Sequence, residues 1–151
     1  RKPNQKYKNQ TKEKSIIDLF GGNGNLTKEL GDFQVFVVDK ISTEIPNGND
    51  HQIFIDLDLY SKSAPKLLKN NIPNKIDALI LDPPRSGLKN LQEYIKQTSP
   101  QFIFYVSCNP HTLMRDITTI LNEFTIKEFH LFDLFPGTFH FETICILEKA
   151  Y

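Results

Sequence analysis

Cys108 stands in Ser107-Cys108-Asn109-Pro110, at the point where the strand-forming run Phe102 to Ser107 gives way to a helix that Pro110 can open. Unpaired backbone N–H groups at such a helix start favour thiolate over thiol, which suits a nucleophile. For an isolated cysteine the competing assignment is a small apolar filler at the sheet edge. A second chemical segment is Leu81-Asp82-Pro83-Pro84-Arg85-Ser86-Gly87-Leu88. Its two prolines remove two backbone donors and fix the chain direction, so Asp82 is held in an extended turn with its carboxylate free to face a ligand. A third is Asp18-Leu19-Phe20-Gly21-Gly22-Asn23-Gly24-Asn25, an acidic residue followed by a glycine turn. Glycines allow close backbone approach to a ligand, and a carboxylate ending the next strand, Asp39, can accept hydrogen bonds from two ribose hydroxyls. With Asp56 and Asp82 ending later strands, the pattern points to a nucleoside-containing cofactor. The turn lacks the third glycine of the dinucleotide fingerprint, so alone it is weak evidence, with a structural tight turn as the lesser alternative.

The elements that must position these groups alternate. Strands are expected at Ser15 to Phe20, Phe33 to Asp39, Gln52 to Asp56, Ile76 to Asp82, Phe102 to Ser107, Ile126 to Phe135 and Phe141 to Glu148. A short helical segment runs through Leu30, and helices are expected at Ser61 to Lys69, Leu88 to Lys96 and Pro110 to Asn122. The last shows Leu113, Ile117, Ile120 and Leu121 at helical spacing. Such alternation implies a mostly parallel sheet covered on both faces. The final two strands, separated by Pro136-Gly137-Thr138, form an antiparallel hairpin. In an open sheet of this kind the ligand crevice lies beyond the carboxyl ends of the strands, where Asp18, Asp39, Asp56 and Asp82 all fall. Lys40 to His51 is short for the usual crossover helix between parallel strands, which would alter the adenosine side of a cofactor site.

The chain has 151 residues with 39% hydrophobic and 24% charged side chains, the composition of one folded domain rather than a disordered or low-complexity segment. No apolar run approaches the ~20 residues that span a bilayer, and no signal-type stretch follows Arg1. Cys108 and Cys145 make neither a disulfide framework nor a metal cluster, so a reducing, cytoplasmic location is expected. The net charge of zero conceals an asymmetry. Residues 1–14 carry Arg1, Lys2, Lys6, Lys8, Lys12 and Lys14 against Glu13 and read as a basic linker or domain boundary, with a phosphate-contacting arm as the alternative. The remainder, residues 15–151, is mildly acidic and lacks the basic signature of an autonomous nucleic-acid binder.

Four segments resemble the RNA uracil-5-methyltransferase family, in family order and at compatible distances. They are Asp18 to Asn25, Asp82 to Leu88, Ser107-Cys108-Asn109-Pro110-His111-Thr112-Leu113, and Phe135-Pro136-Gly137-Thr138-Phe139-His140-Phe141-Glu142. The resemblance covers Ser15 to Glu148 and implies an α/β, Rossmann-like class I methyltransferase catalytic domain: a seven-stranded, mostly parallel sheet with an antiparallel last strand and helices on both faces. It implies S-adenosylmethionine as cofactor, leaving as S-adenosylhomocysteine, and a flipped uridine of transfer or ribosomal RNA as substrate. Cys108 would add to carbon 6 of uracil and Glu142 would remove the carbon 5 proton. Substrate contacts would come from Asp82, Pro83 and Arg85. Cofactor contacts would come from Asp18, Phe20, Gly21, Gly22, Gly24, Asn25, Asp39, Asp56 and Asp82. His140, Glu142 and Ile144 alternate onto one strand face.

Gly21 departs from the family, where cysteine is common, but Cys108 carries the proposed reaction. The upstream cofactor-contacting segment, the small RNA-binding barrel of many relatives and a cysteine set for an iron–sulfur cluster are not in these residues, and a domain of this extent could bind cofactor yet methylate RNA poorly. Arg85 and Arg115 could each contact phosphate or pair with a carboxylate such as Asp116. Cys145 reads as core, and His111 and Met114 as helix packing. The competing functions are methylation of cytosine carbon 5 or of an adenine amino group, or a catalytically silent RNA-binding module. Adenine enzymes need no covalent cysteine and typically place an aromatic where Arg85 stands.

Overall fold

The computed structural model describes residues 14–134, 136–138 and 141–151. Seven strands form one sheet: β1 (Ser15–Leu19), β2 (Gln34–Asp39), β3 (Gln52–Asp56), β4 (Ala78–Leu81), β5 (Phe102–Ser107), β6 (Phe124–Phe132) and β7 (Glu142–Lys149). The spatial order is β3-β2-β1-β4-β5-β7-β6. β1 to β5 pair in parallel, and β7 runs antiparallel to both β5 and β6. β1 lies inside the sheet between β2 and β4 and is buried along its whole length, as an apolar run covered on both faces should be. Strand order reverses between β1 and β4, so the crevice at their carboxyl ends is the topological switch point.

Three α-helices, α1 (Ala64–Lys69), α2 (Leu91–Thr98) and α3 (Pro110–Thr118), share a core with one face of the sheet. Ile17, Leu19, Phe36, Val38, Leu79, Leu81, Ile103, Tyr105, Cys145 and Leu147 meet Leu68, Leu91, Tyr94, Leu113 and Ile117 there. The phenol of Tyr94 donates to the Leu59 carbonyl at 2.7 Å and so satisfies its one buried polar group. α3 begins as its sequence predicts: Asn109 accepts from the His111 amide at 3.1 Å, and Pro110 follows in the first turn.

The opposite face differs from the expected helix cover. Among the described residues it carries only a 3-10 turn, Asn25–Thr27, and the adjoining loop, whose Leu30 and Phe33 pack on Ile16, Val35, Val37 and Ala78. β2 and β3 nevertheless pair in parallel, Val35 with Gln52 through Asp39 with Asp56, joined by a helix-free segment 40–51. Twelve residues extend to roughly 40 Å, whereas a five-residue strand is only ~17 Å long, so the chain returns along the sheet without a helix.

Element bounds differ modestly from expectation. The sixth strand lies at Phe124–Phe132, with a bulge between Ile126 and Glu128, rather than at Ile126 to Phe135. Phe135, Phe139 and His140, like residues 1–13, lie outside the described residues. α3 stops at Thr118, and Leu121 is 42% exposed instead of continuing the buried stripe of Leu113, Ile117 and Ile120. His111 and Met114 likewise face solvent rather than packing against a neighbour. Cys145 is fully buried among apolar side chains, and that burial pushes its thiol up to about 11, as expected of an inert core cysteine.

Candidate active site

The glycine turn leaves β1 through Phe20, which adopts a left-handed φ of 61° while its amide donates to the Val38 carbonyl at 2.9 Å. Gly21 is forced by close approach. A Cβ there would lie 2.6 Å from Val37 Cγ1 and 2.8 Å from Asp18 Cγ. Gly22 has a φ of 54°, and a Cβ there would meet nothing nearer than Asp39 Oδ2 at 4.0 Å, so its backbone borders open space. Gly24 is buried against Gln52 and Phe54, and Asn25 opens toward a polar pocket of about 270 Å³ that Asn23, Lys28, Gly48, Asn49 and Gln52 also line. Gly21→Ala should therefore overpack this corner and cost ~1–3 kcal/mol. A fall in Tm checks it, and Gly21→Cys, which restores the residue common in the family, meets the same wall.

Asp39 ends β2 and ties it to the turn, its Oδ2 accepting from the Gly22 amide at 2.9 Å and its Oδ1 from the Lys40 amide at 2.7 Å. Each oxygen keeps a second lone pair for a ligand. Asp56, at the exposed end of β3, accepts from the Ile41 amide at 3.0 Å.

Asp18 lies beneath the turn, fully buried. Its Oδ2 accepts from Thr27 Oγ1 at 3.0 Å, while its buried Oδ1 has no partner among the described residues. Burial raises its pKa to about 6 despite the Thr27 hydrogen bond, and the negative charges of Asp82 and Asp39 add to the rise. Asp82 follows β4, its amide donating to the Leu19 carbonyl at 3.4 Å. The residue is exposed at the crevice mouth, yet the surrounding walls shield its carboxyl enough to raise its pKa. Pro83 beside it is buried, and Arg85 is exposed with no ion pair among the described residues.

Cys108 is a free, half-buried thiol one residue beyond β5. Ser107 holds one flank, because Thr143 of β7 donates to its carbonyl at 2.8 Å. Ser107 and Thr143 are also the last pair of the β5–β7 ladder, so Cys108 and Glu142 are the residues next to that pair on the two adjoining strands. Burial, and then the charge of Asp82, raises the Glu142 carboxyl. Asp82 is thus within electrostatic reach of both Asp18 and Glu142, and Cys108 follows the strand end that pairs beside Glu142. Glu142 and Ile144 share a strand face as expected; His140 lies outside the described residues.

Two features were not settled by the sequence. Tyr60 packs its ring 5.5 Å from that of Phe20, and its hydroxyl meets Ser86 Oγ and the Gly87 carbonyl at 3.2 Å each. It thereby bridges the glycine turn to the Asp82 loop from an unpatterned stretch after β3. Arg115 pairs with Asp116 rather than standing free for phosphate, with Nη2 2.7 Å from Oδ1. The adjacency of the two residues was the only sequence signal for that pairing.

A sheet in this order with β7 reversed, and with carboxylates and a glycine turn around the β1/β4 switch point, is that of the Rossmann-like methyltransferases. TrmK from M. capricolum, solved with S-adenosyl-homocysteine, shares the fold at 12% identity and a TM-score of 0.65, over 91% of this chain and 62% of that one. The Pyrococcus abyssi tRNA (uracil-54, C5)-methyltransferase, solved with S-adenosyl-L-homocysteine, matches 89% of this chain and 34% of its own at 28% identity and a TM-score of 0.66. The chain belongs to the tRNA (Uracil-5-)-methyltransferase family, whose sequence profile matches residues 68–150. Curated relatives include a tRNA/tmRNA (uracil-C(5))-methyltransferase of Nautilia profundicola, 33% identical over 89% of this chain. A 23S rRNA (uracil(1939)-C(5))-methyltransferase RlmD of Marinomonas posidonica is 35% identical over 91% of it. The chain spans 40% and 33% of the lengths of these two relatives.

Proposed function

We propose that residues 15–151 form a catalytic domain that methylates carbon 5 of a uridine in RNA, with Cys108 as nucleophile and Glu142 as base. The observation that supports this reading is the β5–β7 register, whose last pair, Ser107 with Thr143, is flanked by Cys108 and Glu142, with the Asp82 charge acting on Glu142. The turn fits S-adenosylmethionine: Gly22 borders open space, Asp39 keeps free lone pairs, and Asp18 offers a buried carboxylate oxygen without a partner. Asp18, Phe20, Gly21, Gly22 and Asp39 would hold it, with Gly24, Asn25, Asp56 and Asp82 completing its surroundings. When bound, the cofactor supplies an electrophilic methyl group on a sulfonium sulfur and leaves as S-adenosylhomocysteine.

Carbon 5 of uracil is a poor nucleophile until an atom adds to carbon 6. The Cys108 thiolate forms a bond to carbon 6, and the displaced electron pair moves toward carbon 5 and the carbonyl as an enolate. Once carbon 5 carries the methyl group, Glu142 takes its proton. The freed pair then re-forms the carbon 5–carbon 6 double bond and expels the thiolate. A raised carboxyl is the better base for this step, because its proton affinity lies nearer the working pH. Asp82 accepts a hydrogen bond from the base, Pro83 walls the pocket, and Arg85 is the exposed cation nearest to hand for RNA phosphate. A stacked uracil is out of reach of a half-buried cysteine, so the target uridine is flipped or lies in an open loop of transfer or ribosomal RNA.

The free thiol fits a reducing, cytoplasmic setting. No helix among the described residues is long and apolar enough to cross a membrane, and no cluster of three metal-ligating side chains occurs among them. The test is intact-protein mass spectrometry after incubation with S-adenosylmethionine and RNA carrying 5-fluorouridine, whose fluorine cannot leave as a proton. A methylated RNA adduct on the wild-type chain that vanishes in Cys108→Ala is expected. Absence of adduct with cofactor bound, or an adduct that survives Cys108→Ala, would overturn the reading.

A further inference from the structure

The Asp82 loop and the Cys108 turn leave different strands, yet side chains from the first turns of α3 hold them together. Asn109 Nδ2 and Thr112 Oγ1 both donate to the Arg85 carbonyl, at 3.2 and 3.0 Å. Arg115 Nη2 donates to the Ser86 carbonyl at 2.8 Å. The Asp116 carboxylate, 1% exposed, accepts from the Leu88 amide at 2.6 Å and from the Tyr105 hydroxyl at 2.7 Å through one oxygen. Its other oxygen is held by Arg115 Nε at 2.8 Å and Nη2 at 2.7 Å. Gly87, with a φ of 69°, passes so close that a Cβ would collide with the Asp116 carboxylate and lie 2.8 Å from Arg115 Nη2.

A buried charge that loses its partner is costly, so a cluster satisfied on every side has one low-energy arrangement. Its members reach the backbone at Arg85, Ser86 and Leu88 on one side. On the other, Asn109 is covalently next to Cys108, and its amide donates to Ser107 Oγ at 3.0 Å.

The geometry points to Asp116 and Arg115 as a positioning pair that fixes the substrate loop, Asp82 to Leu88, at a set distance from the nucleophile Cys108. The pair touches no reacting atom; it acts by making the loop and the turn one rigid body, and its catalytic consequence rests on the proposed uridine chemistry. A carbonyl and a thiolate misplaced by about 1 Å are enough to cost on the order of 10²-fold in rate.

The test compares Asp116→Asn with the milder, partly exposed Arg115→Gln, each confirmed folded by circular dichroism. At saturating 5-fluorouridine RNA, both should form the Cys108 adduct at least about ten-fold more slowly. Affinity for S-adenosylhomocysteine, whose proposed contacts lie on β1 and β2, should stay within two-fold of wild type. Hydrogen exchange should quicken together in segments 84–88 and 107–113 while 16–27 is unchanged. An unaltered adduct rate, or a loss confined to the RNA concentration needed for half-saturation, would overturn the positioning role and make Arg115 an RNA contact instead. Quickened exchange in 84–88 alone would overturn the coupling. A wild-type chain that binds S-adenosylhomocysteine yet forms no adduct fails the proposed function, and the exchange pattern then decides the coupling by itself.

Discussion

Glu142→Gln is expected to arrest the reaction after carbon–sulfur bond formation, so that ordinary uridine RNA becomes covalently trapped on Cys108. The amide occupies the same space at the start of β7 and preserves the Ser107–Thr143 pairing next to it. It cannot accept the carbon 5 proton, and losing a general base costs ~10²- to 10⁴-fold. Turnover should fall by that factor, while a band of cross-linked RNA and protein resistant to denaturant appears. Cys108→Ala should lose turnover without any such band. Turnover near wild type in Glu142→Gln would remove Glu142 as the base, and loss of turnover with no trapped species would place its role before bond formation.

The second large effect concerns stability. Asp18 is fully buried, one of its oxygens has no partner, and its pKa stands at about 6. Because the folded carboxyl holds its proton more tightly than the unfolded one, its stabilising contribution is full below the ordinary value of ~4 and is lost as pH rises through about 6. The loss is on the order of 3 kcal/mol, or roughly 6–12 °C in Tm for a chain of this size. Asp82 and Glu142 are raised as well and titrate in the same direction, so the informative quantity is the difference from Asp18→Asn. That variant should melt above wild type at pH 8 and converge with it near pH 3, below the ordinary carboxyl value. Equal pH slopes in the two proteins would show that Asp18 is not the group responsible. A cationic cofactor nearby would favour the carboxylate, so the same variant should bind S-adenosylmethionine more weakly at pH 8, the usual exchange of stability for function at a site.

The sheet and the chemical segments were legible from local signals. Apolar runs of strand length, alternating with helical spacing, encode which faces are buried, because the period of two or 3.6 is a property of the backbone. The paired prolines after Leu81 and the glycines after Phe20 mark turns for reasons equally local. Other outcomes depend on partners distant in sequence. Leu121 has the right spacing to be buried in α3, but the helix ends at Thr118 and leaves it in solvent. The segment 40–51 was visibly too short for the usual crossover helix, yet only the sheet shows that the parallel pair forms without one. Whether Arg115 met a phosphate or Asp116 was open until Tyr105 and Leu88 were seen to share that carboxylate.

What the residues alone established, then, is a set of strand ends carrying Asp18, Asp39, Asp82 and Cys108, since each belongs to its own strand and turn. Tertiary structure decided their company. It brought the start of β7, with Glu142, beside the strand end that Cys108 follows, through a register in which the paired residues Ser107 and Thr143 are 36 positions apart. It left Asp18 with an unpartnered oxygen by closing the Thr27 turn over it, and it locked the Asp82 loop to α3 through Asp116. Each of these is a contact between chain segments, and contact free energies depend on which surfaces meet rather than on the period of either segment.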